Sequence, residues 1–141
     1  MTIADTNRAP EAARGEAFLL LDGVVMGMRP SYEAITAFER DTGKGLLQLA
    51  RDALNAALTL GETAQVACHC IRAWGRNVDD VSAKGAQTDR IAELIMESNG
   101  GFREALAAIA GLLSLAATGG YTSAGEAKAA TMGTGTPPGA A

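Results

Sequence analysis

Two short apolar runs near the beginning of the chain predict a β-hairpin. The runs are residues 18–21 and 24–26, and they are separated by Asp22-Gly23, a pair that favours type I′ turns. An isolated hairpin is only marginally stable in water. We therefore expect this hairpin to pack against helices formed by the rest of the chain.

Apolar residues at helical spacing predict five helices after the hairpin. The predicted helices are residues 32–40, 46–58, 59–74, 88–98 and 102–118. Ser31 is a suitable N-cap for the first helix, and Thr59 with Glu62 has the spacing of a capping box at the start of the third. Gly43 and Gly75 are expected to end these two helices. Residues 76–87 are predicted to form a loop.

These elements predict one domain of the α+β class that is mostly α, with an N-terminal β-hairpin packed on about five helices. The domain is expected to cover residues 15–118. Residues 1–14 are polar and alanine-rich without a regular period, which predicts a flexible N-terminus. Residues 119–141 consist mainly of Gly, Ala, Thr and Pro, which predicts a disordered tail.

Composition and charge narrow the classes of function. The chain has 141 residues and a formal net charge of -4, and nucleic-acid binding usually requires a basic face. Its longest apolar stretch, residues 105–117, is too short to span a membrane. Residues 1–15 lack the apolar run of a signal peptide, so a reducing cytoplasm is expected.

The most prominent candidate for site chemistry is Cys68-His69-Cys70. Three successive helical residues fan out over about 200°, and the chain has no other His or Cys to complete a zinc site. The cysteines are predicted to pack as small hydrophobic residues, with His69 exposed. Gly43-Lys44-Gly45 lacks the hydroxyl residue of a P-loop. The sequence thus predicts no catalytic residue, no metal ligand, no cofactor and no enzymatic activity.

A small helical DNA-binding or regulatory module is the alternative interpretation. Arg72, Arg76 and Arg90 fall on or beside the third and fourth predicted helices. However, about a dozen residues connect these helices, whereas a helix-turn-helix motif uses a turn of three or four. The fourth helix is also more acidic than basic. No nucleic-acid partner is therefore expected.

An ordered set of short motifs resembles the tail assembly chaperone family of phages and gene transfer agents, whose members include small tail-tube-type proteins. The motifs are Leu21-Asp22-Gly23, Met28-Arg29-Pro30-Ser31-Tyr32-Glu33-Ala34-Ile35, Thr42-Gly43-Lys44, Arg72-Ala73-Trp74-Gly75 and Ile91-Ala92-Glu93-Leu94-Ile95. Together they extend over about three quarters of the chain. The resemblance implies a role in tail morphogenesis of a prophage or gene transfer agent, as a tail assembly chaperone or a minor tail component. The implied partners are the tape measure protein or other phage tail proteins, in the cytoplasm of a bacterial host, with incorporation into the virion left open.

The fifth predicted helix is apolar around most of its circumference, which is typical of a central or an interface helix. Under the resemblance, this helix would provide part of the partner-binding face through Leu106, Ile109, Leu112 and Leu113. The alternative is that these residues form the centre of the core. The same apolar surface is compatible with a homo-oligomer.

Overall fold

The computed structural model describes residues 17–128 and contains a two-stranded antiparallel hairpin and six helices. Of these residues, 62% are helical, which confirms the predicted α+β class with mostly α structure. The strands are β1 (Ala17–Leu21) and β2 (Val24–Met28). The helices are α1 (Tyr32–Thr42), α2 (Leu46–Leu54), α3 (Leu60–Val78), α4 (Val81–Lys84), α5 (Thr88–Glu97) and α6 (Gly101–Ala117).

The hairpin forms where the two apolar runs predict it. Leu21 pairs with Val24, and Asp22 and Gly23 form the two-residue turn with φ angles of 52° and 74°. Positive φ at both central positions is the geometry of a type I′ turn, which matches the twist of the two strands. Strand β2 lies against α3, and β1 lies against α6 and α5.

Helix α1 begins and ends at the predicted capping residues. The Ser31 hydroxyl accepts a hydrogen bond from the Ala34 amide at 3.1 Å. Gly43 adopts the left-handed conformation, with φ of 73°, and its amide donates to the carbonyl of Glu39. The helix extends two residues beyond the prediction because its last turn includes Asp41 and Thr42.

Two predicted helix ends are wrong. Helix α2 ends at Leu54, four residues before the predicted boundary, because Ala56 has a φ of 57° and reverses the chain. Helix α3 has the predicted capping box between Thr59 and Glu62, but it continues through Gly75 to Val78. Gly75 is buried inside the helix and does not terminate it.

The predicted loop at residues 76–87 contains the short helix α4. Asp80 accepts a hydrogen bond from the Ala83 amide at 2.9 Å and so caps this helix. Gly75 of α3 lies against α4, and a Cβ atom there would be only 2.6 Å from the Cβ of Ala83. The absence of a side chain at Gly75 therefore allows α4 to pack tightly on α3.

The core has α3 at its centre, with contacts to α1, α4, α5, α6 and β2. Its largest fully buried side chains include Phe38, Leu49, Ile71, Ile95, Ile109 and Leu113. The predicted inward face of α3 is confirmed, since Ala64, Ala67, Ile71 and Trp74 are all buried. Helices α5 and α6 meet at a bend of 120°, and no single helix of the described chain is both long and apolar enough to cross a membrane.

Residues 119–128 have a defined conformation, which corrects the prediction of a disordered tail that begins at 119. Tyr121 and Ala127 form an isolated antiparallel bridge, and the Tyr32 amide donates to the Ser123 carbonyl at 2.9 Å. These contacts hold the segment against the start of α1. The predicted flexible residues 1–14 and the tail residues 129–141 lie outside the described part of the chain.

Candidate functional site: an apolar groove between β1 and α6

The residues predicted as a partner-binding face mainly form the core. Ile109, Leu112 and Leu113 are buried, whereas Leu106 is half-buried and packs against the core. Helix α6 is apolar around its circumference because it contacts α2, α3, α5 and β1 at once. The expected partner face on these four residues is therefore revised, since three of them have almost no surface to offer.

A different apolar surface is open, between strand β1 and helix α6. It is a groove of about 560 Å³. One wall is formed by all five residues of β1, from Ala17 to Leu21. The opposite wall is made largely of small residues and includes Ala105, Ala108, Gly111 and Leu115, with Tyr121 also in the lining. The small side chains on α6 give the groove its depth.

Alternation along the hairpin leaves large apolar side chains in solvent beside this groove. Leu19 and Leu21 point into the core, so their neighbours Phe18 and Leu20 point to the other face of the hairpin. Phe18 is 41% exposed and Leu20 52%, and Val25, which pairs with Leu20 across the hairpin, is 45% exposed. A contiguous exposed apolar patch of this kind is typical of a protein interaction site.

The sequence contains only a weak signal for this surface. Residues 18–21 are uniformly apolar, and nothing in their composition separates Leu19 from Leu20. The signal is that a hairpin docked on helices by one face cannot bury an uninterrupted apolar run. At Gly27 the exposed face is covered by Trp74, and a Cβ at Gly27 would be 2.4 Å from Nε1 of that indole.

Polar chemistry near the groove is sparse. Of the described residues that line it, Glu104 alone is charged, and Ser98 and Tyr121 provide hydroxyl groups. Glu104 is exposed on the first turn of α6. This lining is suited to an apolar partner that carries a single basic group at one end.

The Cys68-His69-Cys70 motif confirms one prediction and corrects another. Both cysteines are free and buried, as expected of small hydrophobic residues, and burial raises the pKa of the Cys70 thiol. His69 was predicted to be exposed, but its side chain is only 12% exposed, and Nε2 lies 2.6 Å from Oδ2 of Asp41. This pair joins α3 to the end of α1. Within residues 17–128, no group of three or more His, Cys, Asp or Glu side chains could hold a metal ion.

Asp41 is expected to make stability depend on acid pH. The hydrogen bond from His69 holds the pKa of Asp41 below its usual value. Its stabilising contribution is thus present above the ordinary aspartate pKa of about 3.9, and it is lost as the pH falls through the lowered value of the folded state. We expect Asp41→Asn to lower the free energy of unfolding by less than about 1 kcal/mol near neutral pH, because the Asp41 side chain is 38% exposed and solvent screening weakens the pair.

Urea unfolding of the wild type and of Asp41→Asn, measured at several pH values between about 6 and 2, checks this expectation. The difference in the free energy of unfolding between the two proteins is expected to shrink toward zero at the acid end of this range. A difference that stays constant across the range would show that Asp41 acts through packing and not through its charge.

Several basic side chains of the described chain contact carboxylates or a backbone carbonyl. Arg29 pairs with Glu126, Lys84 with Asp79 and Arg90 with Glu93. Lys44 contacts two carboxylates, Asp52 at 3.0 Å and Glu62 at 2.9 Å. Arg72 donates to the carbonyl of Ala86 at 2.7 Å. Of the three arginines of the DNA-binding interpretation, Arg72 and Arg90 make contacts of this kind, whereas Arg76 lines a second pocket together with Arg29.

Comparison with known proteins gives no match: no family model, no curated protein and no solved structure is similar to this chain.

The motifs that resemble the tail assembly chaperone family occupy structural positions in the fold. Asp22-Gly23 forms the hairpin turn, Ser31 caps α1, and Gly43 ends that helix. Arg72-Ala73-Trp74-Gly75 lies within α3, where Gly75 allows the contact with α4.

Proposed function

We propose that this chain is a phage-type tail morphogenesis protein, of a prophage or a gene transfer agent, that acts as a tail assembly chaperone or a minor tail component. It acts by binding the tape measure protein or other tail proteins. The observation that carries the proposal is the open apolar groove between β1 and α6, with Phe18, Leu20 and Val25 exposed beside it. The ordered motifs that resemble the tail assembly family support the choice of partner.

The groove is suited to reversible shielding of an apolar segment. A tape measure protein exposes apolar surface until tube subunits polymerise around it, and such surface aggregates unless it is covered. Covering a half-exposed leucine or phenylalanine contributes about 1 kcal/mol, so a few such contacts give moderate affinity. Moderate affinity is appropriate for a chaperone, because the tube must later displace it.

Co-expression with the tape measure protein of the same particle tests the proposal. We expect the tape measure protein to remain soluble and to co-purify with the tagged wild-type chain. Leu20→Lys is expected to abolish both effects, because a lysine on an exposed strand edge prevents apolar contact and strand pairing. Leu20 is 52% exposed, so this variant is expected to fold.

Leu54→Lys is the matched control. Leu54 is also an exposed leucine, at 68%, but it lies at the end of α2 and does not line the groove. A lysine there is favoured by the helix dipole, so this variant is expected to fold and to bind like the wild type. Equal binding by Leu20→Lys and Leu54→Lys would contradict the groove as the binding surface, and no binding by the wild type would contradict the proposed function.

A further inference from the structure

Strand β1 has an unpaired edge along the groove. The two-residue turn is closed by Leu21 and Val24, so this pair exchanges backbone hydrogen bonds, and bonded and non-bonded pairs alternate away from the turn. Phe18 and Leu20 therefore direct their N–H and C=O groups away from β2. Within residues 17–128, no backbone hydrogen bond outside the hairpin uses either residue.

The position of this edge matches one binding mode. All five residues of β1 line the groove, so its free N–H and C=O groups lie next to apolar side chains and the small residues of α6. An extended peptide that adds to a sheet edge gains backbone hydrogen bonds, while pockets beside the edge receive alternate side chains. A helix placed in the same groove would leave the two backbone donors and acceptors of β1 buried without partners.

The charge of the groove lining indicates which side chains an incoming strand would carry. Glu104 is the charged residue of the described lining, and it has no ion-pair partner in the part of the chain that the structure describes. A lysine or arginine on the incoming strand would pair with it. A second copy of the hairpin does not fit this requirement, because residues 17–28 contain no basic residue and include Asp22. Residues 129–141 contain no lysine or arginine either.

We propose that the partner enters the groove as an extended apolar strand that pairs with the free edge of β1 and places a lysine or arginine against Glu104. This inference rests on the proposed function for the identity of the partner protein, but not for the mode of binding. The mode is a property of residues 17–28 and of α6, so synthetic peptides can test it.

The probe is a fluorescein-labelled ten-residue peptide of alternating valine and threonine, with a lysine at each end. Its binding to the full chain is measured by fluorescence polarisation. Two matched peptides serve as controls, one with glutamate at both ends and one with alternate backbone nitrogens methylated. We expect the lysine peptide to bind about threefold more tightly than the glutamate peptide, and the methylated peptide to lose at least about tenfold in affinity.

Two proline variants test whether binding uses the backbone edge of β1. Leu20→Pro removes an outward-facing N–H of β1 without removing a bond of the hairpin, because Leu20 is in a non-bonded pair. Val25→Pro does the same on the opposite edge, since Val25 is the residue paired with Leu20. We expect Leu20→Pro to weaken peptide binding about tenfold and Val25→Pro to weaken it by no more than about threefold, because Val25→Pro removes part of the exposed apolar patch but leaves the edge of β1 intact. Glu104→Gln is expected to remove the preference for the lysine peptide.

Amide hydrogen exchange at Phe18 and Leu20 provides a readout that does not depend on any variant. Both amides are expected to exchange quickly in the free chain and to become protected when the lysine peptide binds. Lack of binding by the lysine peptide, or equal binding of the methylated peptide, would overturn the inference. Protection in the free chain would also overturn it. Protection that increases with protein concentration would show that a second copy occupies the edge. Protection that disappears when residues 1–14 or residues 129–141 are removed would show that the removed segment occupies it.

These outcomes separate the inference from the proposed function. If Leu20→Lys loses the tape measure protein while Leu20→Pro retains it and the peptides do not bind, the strand mode fails and the function stands. If the peptides bind as expected but the wild type does not bind the tape measure protein, the strand mode stands and that partner is wrong.

Discussion

Leu113→Asp is expected to prevent the chain from folding. Leu113 has no exposed surface, and it lies on α6 among side chains of the core. A buried carboxylate without a partner is strongly destabilising, and it would remove most of the roughly 5–15 kcal/mol that stabilises a typical domain. Leu113→Ala, which only creates a cavity, is expected to cost about 2–5 kcal/mol.

Circular dichroism and urea unfolding measure both effects. Leu47→Asp is the control for the added charge, because Leu47 is exposed and lies in the first turn of α2, where an acidic residue is favoured. Its free energy of unfolding is expected to equal that of the wild type within about 0.5 kcal/mol. Cooperative unfolding of Leu113→Asp at an unchanged midpoint would mean that α6 is not a core helix, and its residues would again be candidates for partner binding.

Gly75→Ala is expected to destabilise the chain by about 1–3 kcal/mol, although alanine normally favours a helix. The new Cβ would lie 2.6 Å from the Lys84 amide nitrogen and 2.6 Å from the Cβ of Ala83. The Lys84 nitrogen is a backbone atom, so relief of the clash requires α4 to move away from α3. The displacement would weaken the packing of Ala83, which is buried.

Gly111→Ala is the matched control and is expected to change stability in the opposite direction. Gly111 lies in the interior of α6, and apart from the backbone of its own helix an added Cβ there would meet no atom within 4 Å. Alanine is expected to stabilise this helix by about 0.5–1 kcal/mol. Thermal unfolding of the two variants compares them directly, and destabilisation of similar size at both positions would show that backbone conformation, not contact with α4, determines the effect at Gly75.

The elements of the fold were predictable where local chemistry determines them. Asp22-Gly23 specifies its turn by the φ values that it tolerates, and Ser31 and Thr59 begin their helices through hydrogen bonds to residues three positions away. Gly75 could not be interpreted in this way. A glycine can end a helix or permit a close contact, and the contact at Gly75 is with residues 83 and 84, in a helix too short to give a periodic signal.

The candidate site was predicted less well than the fold. Leu113 and Leu20 are both leucines in apolar runs, and burial of one and exposure of the other depend on which elements pack beside them. An apolar circumference led to α6 as a partner face, whereas its four structural neighbours account for that pattern. The open surface lies instead on the hairpin. Both faces of this two-stranded sheet carry apolar side chains, and there are too few helices to cover both faces.

Site-specific photo-crosslinking at the groove tests most directly whether this surface binds another protein. Phe18 is replaced by benzoylphenylalanine in cells that are assembling tails, and the same replacement at Leu54 serves as the control. We predict that the probe at position 18 crosslinks to the tape measure protein or another tail protein, and that the probe at position 54 does not. Crosslinks to the same protein at equal yield from both positions, or none from position 18, would contradict the assignment of the β1–α6 groove as the binding surface.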